Sequence, residues 1–132
     1  MFIVRAIQDK DLQRSLCETL GAQYCEYALA YFAADLAEDL ETIHEYIGIC
    51  QFIMQGDGEI ISFTSYEDRY DDEAMIVMLR AVMSFLHRCG VKFCYFEETA
   101  APAVLAKKSG FIYKNGRYEM NLEAFYSSKC CH

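Results

Sequence analysis

The chain has 132 residues, which is enough for one domain. Its 54% hydrophobic and 14% aromatic content supplies a full core and excludes an intrinsically disordered protein, and its 7 glycines and 1 proline exclude a collagen-like one. Acidic residues outnumber basic ones by 20 to 12, giving a net charge of −8. Such a surface repels phosphate backbones, so we expect no nucleic-acid partner.

The two ends of the chain and its cysteines bear on compartment and on metal binding. The first residues lack a basic stretch followed by a long apolar core, as a signal peptide would have, and no apolar run reaches the roughly 18 residues of a membrane helix. Seven cysteines in such a chain are expected to be reduced thiols. We therefore expect a cytoplasmic protein with no membrane partner.

The sequence ends in Cys130, Cys131 and His132, which could be read as a soft metal site. Tetrahedral zinc needs about four ligands, and no CxxC or HxxxH motif elsewhere supplies the others. We expect no metal, and we divide the chain into one domain over residues 1–126 and a non-ligating tail over 127–132.

The first third of the chain predicts a strand and a helix, followed by an ambiguous region. Residues 2–7 form a β-branched apolar run typical of a strand. Asp9 can cap a helix whose leucines recur every fourth residue, and Gly21 can end it. For residues 22–46 two alternatives remain open: the alanines, glutamates and leucines favour a helix, whereas residues 28–33 could equally be a buried strand.

The middle of the chain predicts a hairpin and a long helix. Residues 47–54 and 59–65 are β-rich runs joined by a turn that contains two glycines and an aspartate. A polar stretch follows, and residues 73–88 then predict a helix that Asp71 or Asp72 can cap. Apolar residues cover nearly the whole circumference of this helix, so it is expected to be buried against a sheet.

The last third predicts a strand, a short helix and a second hairpin. Residues 92–97 are strand-like, Pro102 and Gly110 bracket a helix over 101–109, and an Asn-Gly turn joins residues 111–114 to 117–122. A strand, a helix and a strand in succession imply a right-handed crossover between parallel strands. The sequence therefore predicts the α/β (α+β) class, with a mixed, mostly antiparallel central sheet flanked by helices.

Four short stretches in this order resemble the GCN5-related N-acetyltransferase (GNAT) family, as a divergent member. They are GICQF at 48–52 with its hairpin, LRAVMSFLHRCGV at 79–91, LAKKSGF at 105–111 and YEMNL at 118–122. The resemblance covers residues 47–122 well and the first third by element order alone. It implies residues 28–33 as the second strand. It also implies acetyl transfer from acetyl-CoA to a primary amine of a small molecule or peptide.

In that family acetyl-CoA lies between two splayed parallel strands, and its pyrophosphate binds the N-terminus of the long helix. The positions that the resemblance implies for acetyl-CoA are Thr64, Ser65, Arg69, Tyr70, Glu73, Ala74 and Thr99. The glycines of the family's loop fall near Glu73 and Met75, and neither is glycine here. Asp71, Asp72 and Glu73 bring negative charge to the expected phosphate position, and Arg69 can offset one of those charges. Alternatively, the acids cap the helix and complement its dipole, with no ligand.

Two catalytic positions of the family also differ in this chain. Ala106 stands where the family often has a tyrosine that protonates the leaving thiolate, and alanine has no proton to donate. Thr99 stands where an asparagine is common. The residues left for acid–base chemistry are Glu97, at the end of the fifth strand, and Tyr66, in the loop after the fourth. The alternative for Glu97 is a solvated carboxylate at a strand end.

These observations leave three hypotheses. The leading one is an acyl-CoA-dependent N-acyltransferase, divergent or weakly active. The second is a non-catalytic module of the same fold, used for binding a partner or for self-association as a homodimer, with some of the aromatic residues forming the dimer face. The third is a metal- or redox-responsive protein that acts through its cysteine-rich tail.

Overall fold

The fold is a seven-stranded sheet with helices on both faces. The structure, a computed structural model, describes the backbone of residues 1–66 and 71–130 and the side chains up to residue 127, apart from 67–70. Its elements are β1 (Phe2–Ile7), α1 (Lys10–Leu20), β2 (Leu29–Leu36), β3 (Ile43–Gln55), β4 (Asp57–Ser65), α2 (Asp72–Arg88), β5 (Phe93–Glu97), α3 (Ala103–Lys108), β6 (Ile112–Lys114), β7 (Arg117–Asn121) and α4 (Leu122–Cys130). The predicted order of elements is confirmed, and α4 is an additional helix.

The strands of the sheet lie in the order β1-β2-β3-β4-β5-β7-β6. Every neighbouring pair is antiparallel except β4 and β5, which are parallel. Helix α2 makes the crossover between these two strands, as a parallel pair requires. The expected mixed, mostly antiparallel sheet is therefore confirmed.

The structure resolves the ambiguity in the first third of the chain. Asp9 caps α1 by accepting a hydrogen bond from the backbone N–H of Asp11 at 2.9 Å, and Gly21 ends the helix with φ +79°. Residues 29–36 form β2 between β1 and β3, so the helical alternative for this stretch is wrong. Ala33 and Ala34 are fully buried there, because burial in a sheet covered on both faces outweighs helix propensity.

Two hydrophobic clusters hold helices on opposite faces of the sheet. On one face α2 packs Met78, Leu79 and Val82 into a cluster that also contains Phe52 and Phe96 and extends to α3 and α4. On the other face α1 packs its buried apolar side chains, Leu16, Cys17 and Leu20, against β2 and β3. We call these the α2 face and the α1 face of the sheet.

The amino-terminal end of α2 is held close to the middle of β3 and to the carboxyl end of β4. A Cβ atom on Gly48 would lie 2.5 Å from the Met75 sulfur and 2.9 Å from the Thr64 carbonyl oxygen. Only glycine allows this approach without displacing the backbone. The first turn of α2 is therefore fixed beside the carboxyl end of β4.

Helix α4 is the element that the sequence analysis did not foresee. The sequence predicts Leu122 in the last strand, but it is the first residue of α4 and is fully buried. The Asn121 side chain accepts a hydrogen bond from the Ala124 N–H at 2.9 Å, so an Asn that reads as a strand residue instead caps a helix. Helix α4 runs to Cys130, while Cys131 and His132 lie outside the described residues.

Candidate functional site

The parallel strands β4 and β5 are joined only near their amino-terminal ends. Within the described residues they pair at Gly58–Cys94 and at Glu59–Tyr95. Beyond these two positions β4 continues to Ser65 and β5 to Glu97. The two strands therefore separate toward their carboxyl ends, and we call the opening between them the splay.

A β-bulge lies where this separation begins. In the pairing of β3 with β4, Gln51 stands opposite Ser62 and Phe52 opposite Ile60, which leaves Ile61 as an extra residue on β4. A bulge bends its strand and increases the local twist. Because Ile61 follows the last position that pairs with β5, the bulge directs the rest of β4 away from β5.

The N-terminus of α2, where we expected the pyrophosphate, carries its own acidic cap. The Asp71 carboxylate accepts a hydrogen bond from the Ala74 N–H at 3.1 Å, and Lys108 of α3 forms a 3.0 Å ion pair with Asp72. Glu73 is exposed, whereas the Ala74 side chain is fully buried. An anion that used the Ala74 N–H would have to displace the Asp71 carboxylate. The structure thus shows the alternative predicted for these acids at Asp71, which caps the helix.

Of the residues predicted to contact acetyl-CoA, two lie outside the described residues and a third lies in a turn. Arg69 and Tyr70 fall in the segment 67–70, outside the described residues. Thr99 is exposed in the turn after β5. It lies at the same edge of the sheet as the end of β4, because β4 and β5 are parallel.

The two candidate acid–base residues lie on the same face of the sheet. Glu97 ends β5, is exposed, and alternates with Phe96, which belongs to the α2-face cluster, so the Glu97 side chain points to the α1 face. Tyr66 follows β4, is partly buried, and packs against the α1-face cluster. Its backbone N–H donates to the Ile47 carbonyl at 2.8 Å. Both residues stand at the carboxyl ends of the two strands that diverge.

A cavity of about 430 Å³ contains three of the predicted residues: Thr64, Ser65 and Tyr66. Its opposite wall is the carboxyl-terminal end of α1 with Gly21. The carboxyl-terminal segment of β4 is thus accessible to a ligand from the α1 face.

A second cavity, of about 490 Å³, involves residues that the sequence analysis did not single out. The loop after α1 forms one wall and β3 and β4 form the other; the lining residues are Gln23, Tyr24, Cys25, Glu26, Tyr27, Gln51, Ile61 and Ser62. The bulged residue Ile61 places this cavity where the splay begins. In the sequence, the polar Gln51 stands inside the apolar run ICQFIM at 49–54, and this exception to the pattern is the feature that could have pointed to the cavity.

Gln51 is fully buried and joins the walls of this second cavity. Its side-chain oxygen accepts hydrogen bonds from the Gln13 amide at 2.9 Å and from the Cys25 N–H at 3.0 Å. Its side-chain nitrogen donates to the Gln23 carbonyl and to the Ser62 hydroxyl, both at 2.8 Å. One side chain therefore connects α1, the loop after it, β3 and β4.

A third, smaller cavity of about 170 Å³ lies at the beginning of β4. Asp57 and Glu59 line it together with Tyr95 and Arg117. The Arg117 guanidinium lies 4.1 Å from the centre of the Tyr95 ring and forms a 2.6 Å ion pair with Glu119. Partial burial raises the pKa of Tyr95, and the neighbouring negative charge of Glu59 raises it further.

Ala106, which stands where the resemblance implies a catalytic tyrosine, has no hydroxyl group. Ala106 is fully buried in α3, within the α2-face cluster. Ala106 therefore cannot donate a proton.

Among the helices described, none is long and apolar enough to cross a membrane. The five cysteines with described side chains, at positions 17, 25, 50, 89 and 94, are free thiols. No group of three or more metal-ligating side chains is present within residues 1–66 and 71–127.

No protein-family model matches the sequence, and no curated protein matches it. The fold, by contrast, is similar to that of solved acetyltransferases. A Desulfovibrio desulfuricans protein assigned to the GNAT family aligns with a TM-score of 0.66 at 13% identity over 92% of this chain and 99% of its own. The spermidine N-acetyltransferase SpeG from Vibrio cholerae, as its N152L mutant, aligns with a TM-score of 0.71 at 10% identity over 97% and 98%.

A third similar structure is the NatC complex bound to Gag peptide and CoA. It aligns with a TM-score of 0.65 at 14% identity over 91% of this chain and 98% of the matching one. At these identities the comparisons show the fold, which is that of GNAT acetyltransferases.

Proposed function

We propose that this chain, whose fold is the GNAT fold, transfers an acyl group from acyl-CoA to a primary amine. The splay is the observation that carries the proposal. Two parallel strands that pair at only two positions leave unpaired backbone groups along the remainder of β4. An extended ligand with amide groups, such as the pantetheine arm of acetyl-CoA, can satisfy those groups as a further strand would.

The ligand contacts that we propose follow the opening of the splay. Thr64 and Ser65 would bind the pantetheine arm, and Thr99 would hydrogen-bond it from the β5 side. The backbone near Glu73 and Ala74, together with Arg69 and Tyr70, would hold the phosphates. Because Asp71 caps α2, we expect phosphate binding to be weak unless that carboxylate moves.

The chemistry is a direct transfer. The amine nitrogen attacks the thioester carbonyl carbon, the new C–N bond forms, and the C–S bond breaks to release CoA thiolate. Glu97 would take the proton that the amine loses, directly or through water, and the Tyr66 hydroxyl would protonate the thiolate. Both side chains belong to the α1 face, so we expect the amine to approach from that face.

The acceptor that we propose is a small-molecule or peptide amine. SpeG is named for spermidine, and the NatC structure contains a peptide. These are properties of the similar proteins, and they support the amine class rather than a particular acceptor. We propose a cytoplasmic location, which the free thiols of the five described cysteines support.

Two observations favour an alternative, a non-catalytic module of the same fold. The Asp71 carboxylate holds the Ala74 N–H, and Ala106 leaves the family's tyrosine position without a hydroxyl. Such a module would bind a partner or a second copy of itself and would not need acetyl-CoA.

Acetyl-CoA binding separates these functions and can be measured as a rise in melting temperature. A ligand that binds only the native state raises that temperature by mass action, so we expect an upward shift with millimolar acetyl-CoA. Asp71→Ser should enlarge the shift, because serine caps a helix as well as aspartate does but brings no negative charge. Asp39→Ser, in the loop between β2 and β3, is the matched control, since Asp39 also accepts backbone hydrogen bonds at a turn.

Each result decides between the two functions. No shift for the parent chain and none for Asp71→Ser would contradict the transferase and leave the non-catalytic module. A shift that Asp71→Ser increases and Asp39→Ser leaves unchanged supports acyl-CoA binding at the N-terminus of α2.

A further inference from the structure

Gln51 and Ser62 stand directly opposite each other on β3 and β4, just beyond the positions at which β4 pairs with β5. Both side chains lie on the α1 face, because the next residues along the two strands, Phe52 and Phe63, belong to the α2-face cluster. Both side chains also line the cavity of about 490 Å³. The contact between them therefore forms part of the wall of that cavity.

The polarity of two backbone groups fixes the orientation of the Gln51 carboxamide. The Cys25 N–H can only donate, so the Gln51 atom that it contacts at 3.0 Å must be the side-chain oxygen. The Gln23 carbonyl can only accept, so the Gln51 atom that it contacts at 2.8 Å must be the side-chain nitrogen. Turning the amide around would break both hydrogen bonds of a fully buried side chain. The atom that faces Ser62 is therefore the nitrogen, which donates.

The Ser62 hydroxyl consequently accepts a hydrogen bond from Gln51. The Gln51 nitrogen donates to the hydroxyl oxygen at 2.8 Å, and the hydroxyl keeps its own hydrogen for another partner. Within residues 1–66 and 71–127 this is the one hydrogen bond that the Ser62 side chain forms. Ser62 is partly buried and lines the cavity. The contact with Gln51 thus leaves a hydrogen-bond donor for a ligand in that cavity.

The proposed binding mode of acetyl-CoA brings its thioester to this part of β4. The phosphates would lie at the N-terminus of α2, which is fixed beside Thr64 near the carboxyl end of the strand. The pantetheine arm would then run back along β4 toward the positions at which the two strands join. From residue 65 to residue 62 a strand covers about 10 Å. The reactive end of the ligand would therefore lie beside Ser62.

We infer that the Ser62 hydroxyl donates a hydrogen bond to the thioester carbonyl oxygen of bound acetyl-CoA, and that Gln51 is the positioning residue that holds Ser62 in this role. The inference rests on the proposed acyl transfer at the splay. When the amine nitrogen attacks the carbonyl carbon, the π electron pair of the C=O bond moves to the oxygen, which becomes negative. Ser62 stabilises this charge and keeps its proton. The electron pair then re-forms the C=O bond as the C–S bond breaks.

The four hydrogen bonds of Gln51 are the reason that this donor is effective. They connect Gln51 to α1, to the loop after α1 and to β4, so the carboxamide is held from several directions. A donor that is already held in place needs no reorganisation when charge develops on the substrate. Ser62 transfers no proton, so its role differs from those proposed for Glu97 and Tyr66.

Infrared spectroscopy of the bound ligand tests for the hydrogen bond. Acetyl-CoA labelled with carbon-13 at the acetyl carbonyl is compared with unlabelled acetyl-CoA, so that the difference spectrum shows the thioester band alone. A hydrogen bond weakens the C=O bond and lowers its stretching frequency. We expect a lower frequency on the parent chain than on Ser62→Ala, and the parent frequency on Ser62→Thr, which keeps the hydroxyl. Ser15→Ala, at an exposed serine of α1, is the matched control and should keep the parent frequency.

Acetyl transfer to butylamine measures the effect of Ser62 on the reaction. The product is followed by mass spectrometry, because the free cysteines would interfere with a thiol assay. Ser62→Ala should lower kcat on the order of a hundredfold and change the KM for acetyl-CoA little, since the contact is strongest when the oxygen is negative. Ser62→Thr and Ser15→Ala should keep the parent kcat. A role confined to the cavity wall would lower the stability of Ser62→Ala without this difference between kcat and KM.

Gln51→Leu tests the positioning role, and Gln51→Met, which is unbranched like glutamine, is the second variant in case leucine prevents folding. Each substitution removes the donor that holds the Ser62 hydroxyl. The thioester band should therefore move toward the frequency seen in Ser62→Ala, and kcat should fall. Adding Ser62→Ala to either variant should then lower kcat no further. A second loss of the same size in the double variant would show that Gln51 does not act through Ser62.

The melting temperature with acetyl-CoA separates failure of this inference from failure of the proposed function. If acetyl-CoA stabilises the parent chain and Ser62→Ala alike, and the two give the same thioester frequency and the same kcat, the inference is wrong and the transferase proposal stands. Equal stabilisation with a higher frequency and a lower kcat in Ser62→Ala supports the inference. If acetyl-CoA stabilises neither chain, the transferase proposal is wrong and the inference fails with it.

Discussion

At the scale of single residues, the same residue type has different chemistry according to its place in the fold. Cys50 and Cys94 lie in β3 and β5 within the α2-face cluster and are fully buried. Burial disfavours the thiolate, so it raises the pKa of Cys50 and raises that of Cys94 to about 12. Cys89, at the end of α2, is exposed.

This contrast predicts a pH effect on stability. A thiol whose pKa is raised by folding stabilises the native state fully below its unfolded pKa of 9.0, and the contribution is lost as the pH rises toward the folded value of about 12. The free energy of unfolding, measured in urea, should therefore fall between pH 9 and 12. Cys94→Ala should show a smaller fall than the parent chain, and Cys89→Ala should behave as the parent does; equal falls in all three would contradict the assignment.

At the candidate site, local contacts such as a helix cap could be predicted from the sequence, whereas long-range hydrogen bonds could not. The sequence predicts Asp71 or Asp72 as the cap of α2, and in the structure the Asp71 carboxylate accepts the Ala74 N–H. Gln51 was passed over, because its four partners come from segments up to 38 residues away and no local pattern records them. The residues that line the two larger cavities beside β4 come together only through the tertiary fold.

At the scale of elements, the turn and capping residues were the dependable signals. Asp9 and Gly21 marked the ends of α1, and the Asn-Gly pair marked the turn between β6 and β7. The stretch that became β2 carried both helix propensity and a strand pattern, and contacts with β1 and β3 decided the outcome. Helix α4 was missed because it begins directly after a strand, without an intervening turn.

The connection of α1 and its loop to the sheet predicts the effect of one substitution. Gln51→Leu leaves several buried polar partners without hydrogen bonds, and each such loss costs about 1–3 kcal/mol. We expect a loss of about 2–4 kcal/mol in the free energy of unfolding. Urea denaturation measures it.

Gln55→Leu, an exposed residue of the same strand, is the control for that substitution and should change the stability by less than about 0.5 kcal/mol. If Gln51→Leu is equally mild, the network does not hold the loop. Amide exchange at Cys25, whose N–H donates to Gln51, should also become faster in Gln51→Leu and remain unchanged in Gln55→Leu.

At the scale of the whole molecule, the backbone amide hydrogens beside the splay differ from those inside the antiparallel sheet in their protection from exchange with solvent. Amide hydrogens of β4 between residues 60 and 65 that face β5 lack strand partners there, whereas those of β2 and β3 lie inside the antiparallel sheet. We expect the first set to exchange quickly with solvent and the second slowly. Hydrogen exchange followed by NMR measures both sets.

Acetyl-CoA is expected to slow exchange in the first set without affecting the second, because its amide groups would take the place of the missing strand. Uniform slowing across the sheet would indicate a general gain in stability instead of binding in the splay. Unchanged exchange at residues 60–65 under saturating acetyl-CoA would contradict the proposed binding mode.

The two positions at which β4 pairs with β5 have a mechanical consequence. A force that pulls β1 away from β6 acts on all the junctions between neighbouring strands. The junctions β1–β2, β2–β3 and β3–β4 are extended ladders of paired residues, whereas β4 and β5 pair only at Gly58 and Glu59. Side chains such as Leu86 and Phe96 must carry the load there. Under such a force we expect β4 and β5 to separate before β1, β2, β3 and β4 separate from one another.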